Sequence, residues 1–320
     1  MKAAVVHSYT SPPRFEEFAD PVPYEGEVLV RVTAAGLHPI VKALASGKHY
    51  AGTGQLPFIP GVDGVGRLED GTRVYFGGAR SPYGPMAQRA VLARERCLPL
   101  PDPLDDVTVA AMMNPGMASW GALSERAHFQ TGESVLILGA TGNAGQMAVQ
   151  IAKRLGARRI VAAGRDEHAL EQTRALGADA TISLKLEREA LILALRDEIA
   201  GQKIDVVLDY LWGAPAEAAL AAIARRRPEH AAARIRYIQI GNSAEPTINL
   251  AAATLRSSAL ELLGSGFGSI SMDRIFASLK NFLKSAAERP FKIETATTPL
   301  SEVESRWNDP QANGRLVFQP

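Results

Sequence analysis

A run of apolar residues, Ser134–Leu138, passes straight into Gly139-Ala140-Thr141-Gly142-Asn143-Ala144-Gly145, and a helical pattern, Ala144–Leu155, follows without a spacer. Few local sequences constrain a fold as strongly. Glycines at such a turn let the chain reverse tightly, let the backbone approach a pyrophosphate and let helix and strand pack closely. The phosphates then lie over the free N–H groups and the positive dipole end of the helix. A glycine triplet alone is a weak signal. The strand before it and the helix after it make it a dinucleotide-binding turn, with Gly139, Ala140, Thr141, Gly142, Asn143 and Ala144 as cofactor-binding residues.

The surrounding pattern supports a parallel sheet. Strands at Ser134–Leu138, Arg159–Ala162, Ala180–Ser183, Asp205–Tyr210, Arg236–Ile240 and Leu260–Leu263 alternate with helices such as Glu167–Leu176, Glu187–Ala200 and Pro215–Ala224. Strands alternating with helices argue for an α/β fold, a Rossmann doubly wound parallel sheet covered on both faces. The second strand also bears on the cofactor. A site for NAD usually places Asp or Glu there to accept from the ribose 2′-hydroxyl. Here that end position is Gly164, followed by Arg165, and a guanidinium suits the 2′-phosphate of NADPH. Asp166 leaves a second reading open, in which it either competes for the ribose or caps the helix Glu167–Leu176.

Before about residue 110 the chain is rich in Gly, Pro and short β-type runs, including Lys2–Val6, Glu27–Thr33, Gly64–Leu68 and Thr72–Phe76. A helix at Met272–Ala287 and a strand at Arg315–Phe318 close the chain. These ends form one discontinuous β-rich domain of residues 1–118 and 263–320, into which the dinucleotide-binding domain, 119–262, is inserted. The formal net charge is +1 over 320 residues, which favours neither nucleic acid nor a membrane surface as partner. The short basic cluster Arg225–Arg227 reads as a solvated face. No window has the apolar run of ~18 residues needed to span a membrane, and the N-terminus lacks the apolar core of a signal peptide, so a cytoplasmic location is expected. One cysteine, Cys97, excludes an intrachain disulfide and a multi-cysteine zinc site.

The segments GESVLILGATGNAGQMAVQIAKRLGA, LGADATISL and IDVVLDYLWG, flanked by GEVLVRVTAAGLHPIVKALASGKH, PFIPGVDGVG, GPMAQRAVLARERCLPLP and a terminal NGRLVF, resemble the medium-chain dehydrogenase/reductase superfamily over essentially the whole chain. The resemblance implies that the flanking β-rich domain is a GroES-like barrel. Zinc-dependent members place a catalytic cysteine after the Ala-Ala-Gly turn and a His-Glu pair after the Pro-Gly turn. This chain has Leu37-His38 and Val62-Asp63 there, so it resembles the zinc-free quinone oxidoreductases, and no metal site is expected.

The resemblance implies further roles. His38 occupies the place of a family asparagine that faces the nicotinamide, and Tyr50, beside His49, falls where the family carries a cleft tyrosine; both are catalytic candidates as donor or proton source. Gly241 and Asn242 match the segment over the adenosine and ribose. Gly264, Gly266 and Phe267 match a loop that meets the nicotinamide carboxamide through backbone groups. The strand Leu260–Leu263 pairs across a dimer axis in the family, which implies a homodimer. A family threonine that touches the nicotinamide is replaced by Ala118, leaving Asn114 or Ser119 to supply that contact. A family tyrosine for the 2′-phosphate is missing after the third strand, which leaves Arg165, helped by Lys185. Asn114, Trp120 and Trp212 are the substrate-binding candidates, with Tyr210 and Phe267 as further aromatic walls suited to a flat acceptor.

These features imply an NADPH-dependent reductase of quinones or α,β-unsaturated carbonyl compounds. Two other readings stay open: an enoyl- or acrylyl-CoA-type reductase, with Lys42, Lys48 and Arg80 near the CoA phosphates, and a low-turnover NADPH-binding redox sensor.

Overall fold

The computed structural model describes residues 1–52, 54–224, 233–309 and 314–320, so the Arg225–Arg227 cluster lies outside the described residues. Contacts divide the chain into two units, one of Met1–Asn114 with Leu279–Pro320 and one of Pro115–Ser278.

In the second unit six strands form one parallel sheet. Their order is Ala180–Ser183, Arg159–Gly164, Ser134–Leu138, Val206–Asp209, Ile235–Gln239 and Leu260–Gly264. The chain builds outward from Ser134–Leu138 in one direction, then returns to Val206–Asp209 on its other side and builds the opposite way. That reversal is the topological switch point of a doubly wound sheet, where such folds bind ligands at the carboxyl ends of the strands. Every residue of Ser134–Leu138 is buried, as expected of a strand covered on both faces. The helix Asn143–Arg154 is amphipathic and buries Met147, Ala148, Val149, Ile151 and Ala152. The helix Glu167–Leu176 and the strands Ser134–Leu138 and Ala180–Ser183 have the bounds expected from the sequence. The expected helix Glu187–Ala200 is α-helical over Arg188–Arg196 and widens into a π-helical turn at Asp197–Gly201. Residues 263–278 group with this unit, and Arg126 donates to Gly264 O and Ser269 O within it.

The first unit is β-rich. A sheet runs Thr295–Pro299, Arg315–Gln319, Glu27–Gly36, Asp63–Arg67, Arg73–Gly77 and Cys97–Pro99, with Arg89–Ala93 also paired to Glu27–Gly36; Lys2–Val5 and Arg14–Glu17 form a separate pair. Arg315–Gln319 lies antiparallel to Glu27–Gly36, with Val317 opposite Gly36, so the two ends of the chain share one sheet. Ala3, Val5, Leu37, Val41, Ile59, Met86, Trp307 and Phe318 form one apolar core, and Val30, Val32, Val74, Phe76 and Leu92 a second. No helix of the described residues is long and apolar enough to cross a membrane.

Candidate functional site

The parallel sheet places most of the expected cofactor residues on one edge. Gly139 follows the carboxyl end of Ser134–Leu138, Gly164 ends Arg159–Gly164, Gly241 and Asn242 follow Ile235–Gln239, and Gly264 ends Leu260–Gly264. The turn itself is built tightly. The N–H groups of Gly139 and Ala140 both donate to Ala163 O at 2.9 Å, which ties the turn to the next strand. Gly139 has φ +89°, a conformation that favours glycine. A Cβ on Gly145 would lie 2.2 Å from Gly139 O and 2.5 Å from Ala140 Cα, so the helix can sit this close to the turn only without a side chain there. Likewise a Cβ on Gly164 would lie 2.4 Å from Thr141 Cγ2.

Gly142 differs from these. It is the N-cap of Asn143–Arg154, in extended backbone (φ −81°, ψ 164°), and a Cβ there would meet only Gly139 O, at 3.8 Å. The first bond of the helix is Gln146 N–H to Gly142 O at 2.8 Å, so the N–H groups of Asn143, Ala144 and Gly145 precede it. The first turn contains no acidic residue and no capping side chain. Open space in front of uncapped N–H groups at a positive dipole end fits a pyrophosphate.

The adenosine end fits a 2′-phosphate. Arg165 is exposed directly after Gly164. The neighbouring carboxylate, Asp166, is the N-cap of Glu167–Leu176 and accepts from Ala169 N–H at 3.0 Å. That hydrogen bond lowers its pKa, with a further contribution from nearby Lys185 and His168. The capping reading of Asp166 therefore holds. Lys185 is exposed after Ala180–Ser183, on the same edge of the sheet.

A carboxylate that the sequence did not single out organises the loop after the fourth strand. Asp209 is fully buried. Its Oδ1 accepts from the N–H groups of Leu211 (2.8 Å) and Trp212 (3.0 Å), and its Oδ2 accepts from Tyr237 OH (2.7 Å). Burial raises its pKa, opposed by these bonds. Trp212 has φ +58°, which costs a bulky residue on the order of 1–2 kcal/mol, so its backbone is held by Asp209 rather than by its own preference. The Trp212 side chain packs on the apolar core beneath the sheet. Asp209 O and Tyr210 O accept from Gly241 N–H (3.1 Å) and Ser243 Oγ–H (2.9 Å), which joins this loop to the Gly241–Asn242 segment. A lone Asp ending an apolar strand, as in VVLD, is the only signal that pointed to it.

Ser119 is buried. Its hydroxyl donates to Pro115 O (3.0 Å) and is hydrogen-bonded to the Tyr210 hydroxyl (2.7 Å), with Ala144 O at 3.3 Å. The Ser119 hydroxyl is thus engaged within the protein, and Asn114 is partly buried. Trp120 is partly buried, and Phe267 is 38% exposed in the loop after Leu260–Gly264.

In the first unit, His38 and Tyr50 are not alike. Tyr50 is 73% exposed and its ring stacks on His49 at 4.4 Å. His38 is 0% exposed, at the N-cap of the helix Pro39–Ala45. Its Nε2 stands 3.5 Å from Asp63 Oδ1 without making a hydrogen bond to it, and Asp63 Oδ2 accepts from Tyr75 OH at 2.9 Å. Burial lowers the His38 pKa against the pull of Asp63, and the charge of Arg315 lowers it further. The imidazole is therefore held neutral. Arg315, itself buried, donates to Leu37 O at 2.9 Å. Arg80 is committed to Glu27 (2.9 Å) and Val22 O (2.8 Å) and lies over the Tyr24 ring at 4.0 Å. Among the described residues no three His, Cys, Asp or Glu side chains are gathered as for a metal ion.

Residues 144–283 match the family model described as zinc-binding dehydrogenase, a stretch that contains no cysteine. Over its whole length the chain is 28% identical to a probable NADPH-dependent quinone reductase of Emericella nidulans, covering 100% of both. It is 34% identical to human quinone oxidoreductase over 161 residues, 47% of this chain and 48% of that one. Among solved structures, the quinone oxidoreductase of Thermus thermophilus, determined alone and with NADPH, aligns over 100% of both chains with TM-score 0.81 and 28% identity.

Proposed function

We propose a function from one premise: the chain belongs to the medium-chain dehydrogenase/reductase superfamily, in its quinone oxidoreductase-like branch. It is an NADPH-dependent oxidoreductase. Its substrates are quinones or α,β-unsaturated carbonyl compounds, and it works without a catalytic zinc. The observation that carries this reading is the pairing of an uncapped, open phosphate turn at Gly142 with Arg165 beside a carboxylate already used as a helix cap.

The backbone N–H groups of Asn143, Ala144 and Gly145 would hold the pyrophosphate, Arg165 and Lys185 the 2′-phosphate, and the segments at Gly241–Asn242 and Gly264–Phe267 the adenosine and nicotinamide ends. When bound, NADPH supplies a hydride to the conjugated acceptor. Negative charge then grows on the acceptor oxygen, and without a metal a hydrogen-bond donor must meet it. Tyr50, exposed, is the side chain we assign to that role, through its hydroxyl. His38 has no surface of its own and contributes by packing. Arg80 is already paired, which weakens the CoA-ester reading.

The test is loss of reduced-nicotinamide absorbance with 1,4-benzoquinone, 9,10-phenanthrenequinone, an alkenal and crotonyl-CoA as acceptors. Turnover with a quinone or the alkenal is expected. Turnover with crotonyl-CoA alone would replace this reading by the CoA-ester one, and NADPH binding without turnover of any acceptor would favour a redox sensor.

A further inference from the structure

We propose that Arg126 is a positioning residue that fixes the Gly264–Ser269 loop in the shape needed to receive the nicotinamide; this rests on the reading above that the loop meets that end of the cofactor. Arg126 ends a π-helical turn, Ala122–Arg126, that continues the helix Asp106–Gly121. Such widened turns are uncommon and often mark functional sites. Here the turn aims one guanidinium at both ends of the loop. Nε donates to Gly264 O at 2.8 Å and Nη1 to Ser269 O at 3.3 Å.

Between those two carbonyls the loop closes on itself. Gly266 N–H donates to Ser269 Oγ (2.9 Å), the Ser269 hydroxyl donates to Gly266 O (2.8 Å), and Ser269 N–H reaches the same oxygen (3.1 Å). Gly268 sits at φ +91°. Ser265 N–H bonds to Gln239 O at 2.8 Å, which joins the loop to the neighbouring strand end. Gly264, Gly266 and Phe267 stay exposed, so the loop has little apolar burial to hold it and depends on these polar ties.

The turn that carries Arg126 is itself anchored. Buried Arg236 donates to Ala127 O at 2.7 Å and to Glu133 at 2.5 Å, and Glu125 pairs with Arg274, beyond the loop, at 2.6 Å. Glu125 and Arg126 thus grip the chain on both sides of the loop from a base that Arg236 holds. A planar guanidinium can span two carbonyls in fixed geometry, which an ammonium cannot.

The experiment compares Kd for NADPH and for 2′-phospho-ADP-ribose, which lacks the nicotinamide, in the wild type, Arg126→Ala, Arg126→Lys and Ser269→Ala, with Tm measured for each. Arg126→Ala is expected to weaken NADPH about tenfold, the scale of one or two bonds from a charged donor, and to leave 2′-phospho-ADP-ribose unchanged. Arg126→Lys is expected to recover part of the loss, and Ser269→Ala to show the same nicotinamide-only pattern should Arg126→Ala not fold. Equal loss for both ligands, or no loss for NADPH, would overturn the proposal. Equal affinity of the wild type for both ligands would instead overturn the placement of the nicotinamide at this loop, and the clamp with it.

Discussion

Asp166 Oδ1 accepts the N–H of Ala169 at 3.0 Å, so the carboxylate beside Arg165 closes a helix turn instead of waiting for a ribose hydroxyl. In the function proposed above, selectivity for NADPH rests chiefly on Arg165. Arg165→Ala removes a charge-assisted contact that only NADPH makes, of about 1.5–3 kcal/mol. NADPH affinity is expected to fall roughly tenfold or more while NADH affinity stays within about twofold. Fluorescence titration with both nucleotides checks this. Equal weakening of the two would remove Arg165 from the role.

Gly142 and Gly145 lie three residues apart in the same turn and are glycines for different reasons. A side chain at 145 would strike Gly139 O and Ala140 Cα, whereas one at 142 enters open space from a backbone conformation that any residue adopts. Gly145→Ala is therefore expected to lower Tm by forcing helix and turn apart. Gly142→Val is expected to keep Tm near the wild-type value and yet abolish NADPH binding, because the side chain fills the place of the pyrophosphate. Thermal melts with and without NADPH separate the two. A Gly142→Val protein that still binds would move the phosphate site elsewhere.

His38 gives the first unit a dependence on acidity. Its folded pKa lies below the ordinary 6.5, chiefly through burial, so the unfolded chain takes up a proton that the folded one refuses. Stability from this group is present above about 6.5 and is lost as pH falls from there through the lowered folded value. His38→Asn, which cannot titrate, is expected to remove that loss. Tm measured from neutral to mildly acid pH in both proteins should show the wild type falling relative to the variant. Parallel curves would mean that folding leaves the His38 pKa unshifted, and a wild type that gains on the variant as pH falls would mean that the imidazole is charged in the fold.

Much of the second unit was legible because its signals are local. Val135–Leu138 is an unbroken apolar run, Gly139 to Gly145 punctuate it, and the helices Asn143–Arg154, Glu167–Leu176 and Arg188–Arg196 repeat their apolar residues at helical spacing. The first unit was harder. Arg14–Glu17 and Thr295–Pro299 alternate weakly and are strands because of partners far along the chain: Lys2–Val5 for one and Arg315–Gln319 for the other. The helix Asp106–Gly121 contains Pro115, and its Val109–Met113 stretch is buried on every side, which erases the amphipathic pattern. Within the site, the glycines could be read from spacing. Asp209 shows only as a lone Asp ending an apolar strand, and Arg126 could not be read at all, since it acts on backbone groups brought to it by folding. The burial of His38 was equally invisible, because it depends on Gly36, Asp63 and Arg315 converging.

Zinc removal should have no effect. Zinc catalysis needs three converging protein ligands, and the two places where zinc-dependent members of the family carry them read Leu37-His38 and Val62-Asp63 here. Dialysis against a chelator is expected to leave quinone reduction by NADPH within about twofold of the untreated rate, a change under ~0.5 kcal/mol. A loss restored by added zinc would contradict the zinc-free mechanism.

Tyr237→Phe tests the buried carboxylate under the Trp212 loop. The substitution keeps the ring and removes the one donor to Asp209 Oδ2 among the described residues, so a buried acceptor is left unsatisfied, at a cost of about 1–3 kcal/mol. The sign of its pH dependence follows from Asp209. Burial already raises that pKa above its ordinary 3.8, and the Tyr237 bond opposes the rise by favouring the charged form. Without the bond the folded pKa climbs further. Below the unfolded value both proteins carry a protonated Asp209 and differ little. The deficit of the variant then grows as pH rises through the wild-type folded value and levels off above the variant's own. Urea unfolding of both proteins at acid and at neutral pH checks this. A deficit equal at both would mean that Asp209 stays protonated in the fold, donating rather than accepting at Oδ2.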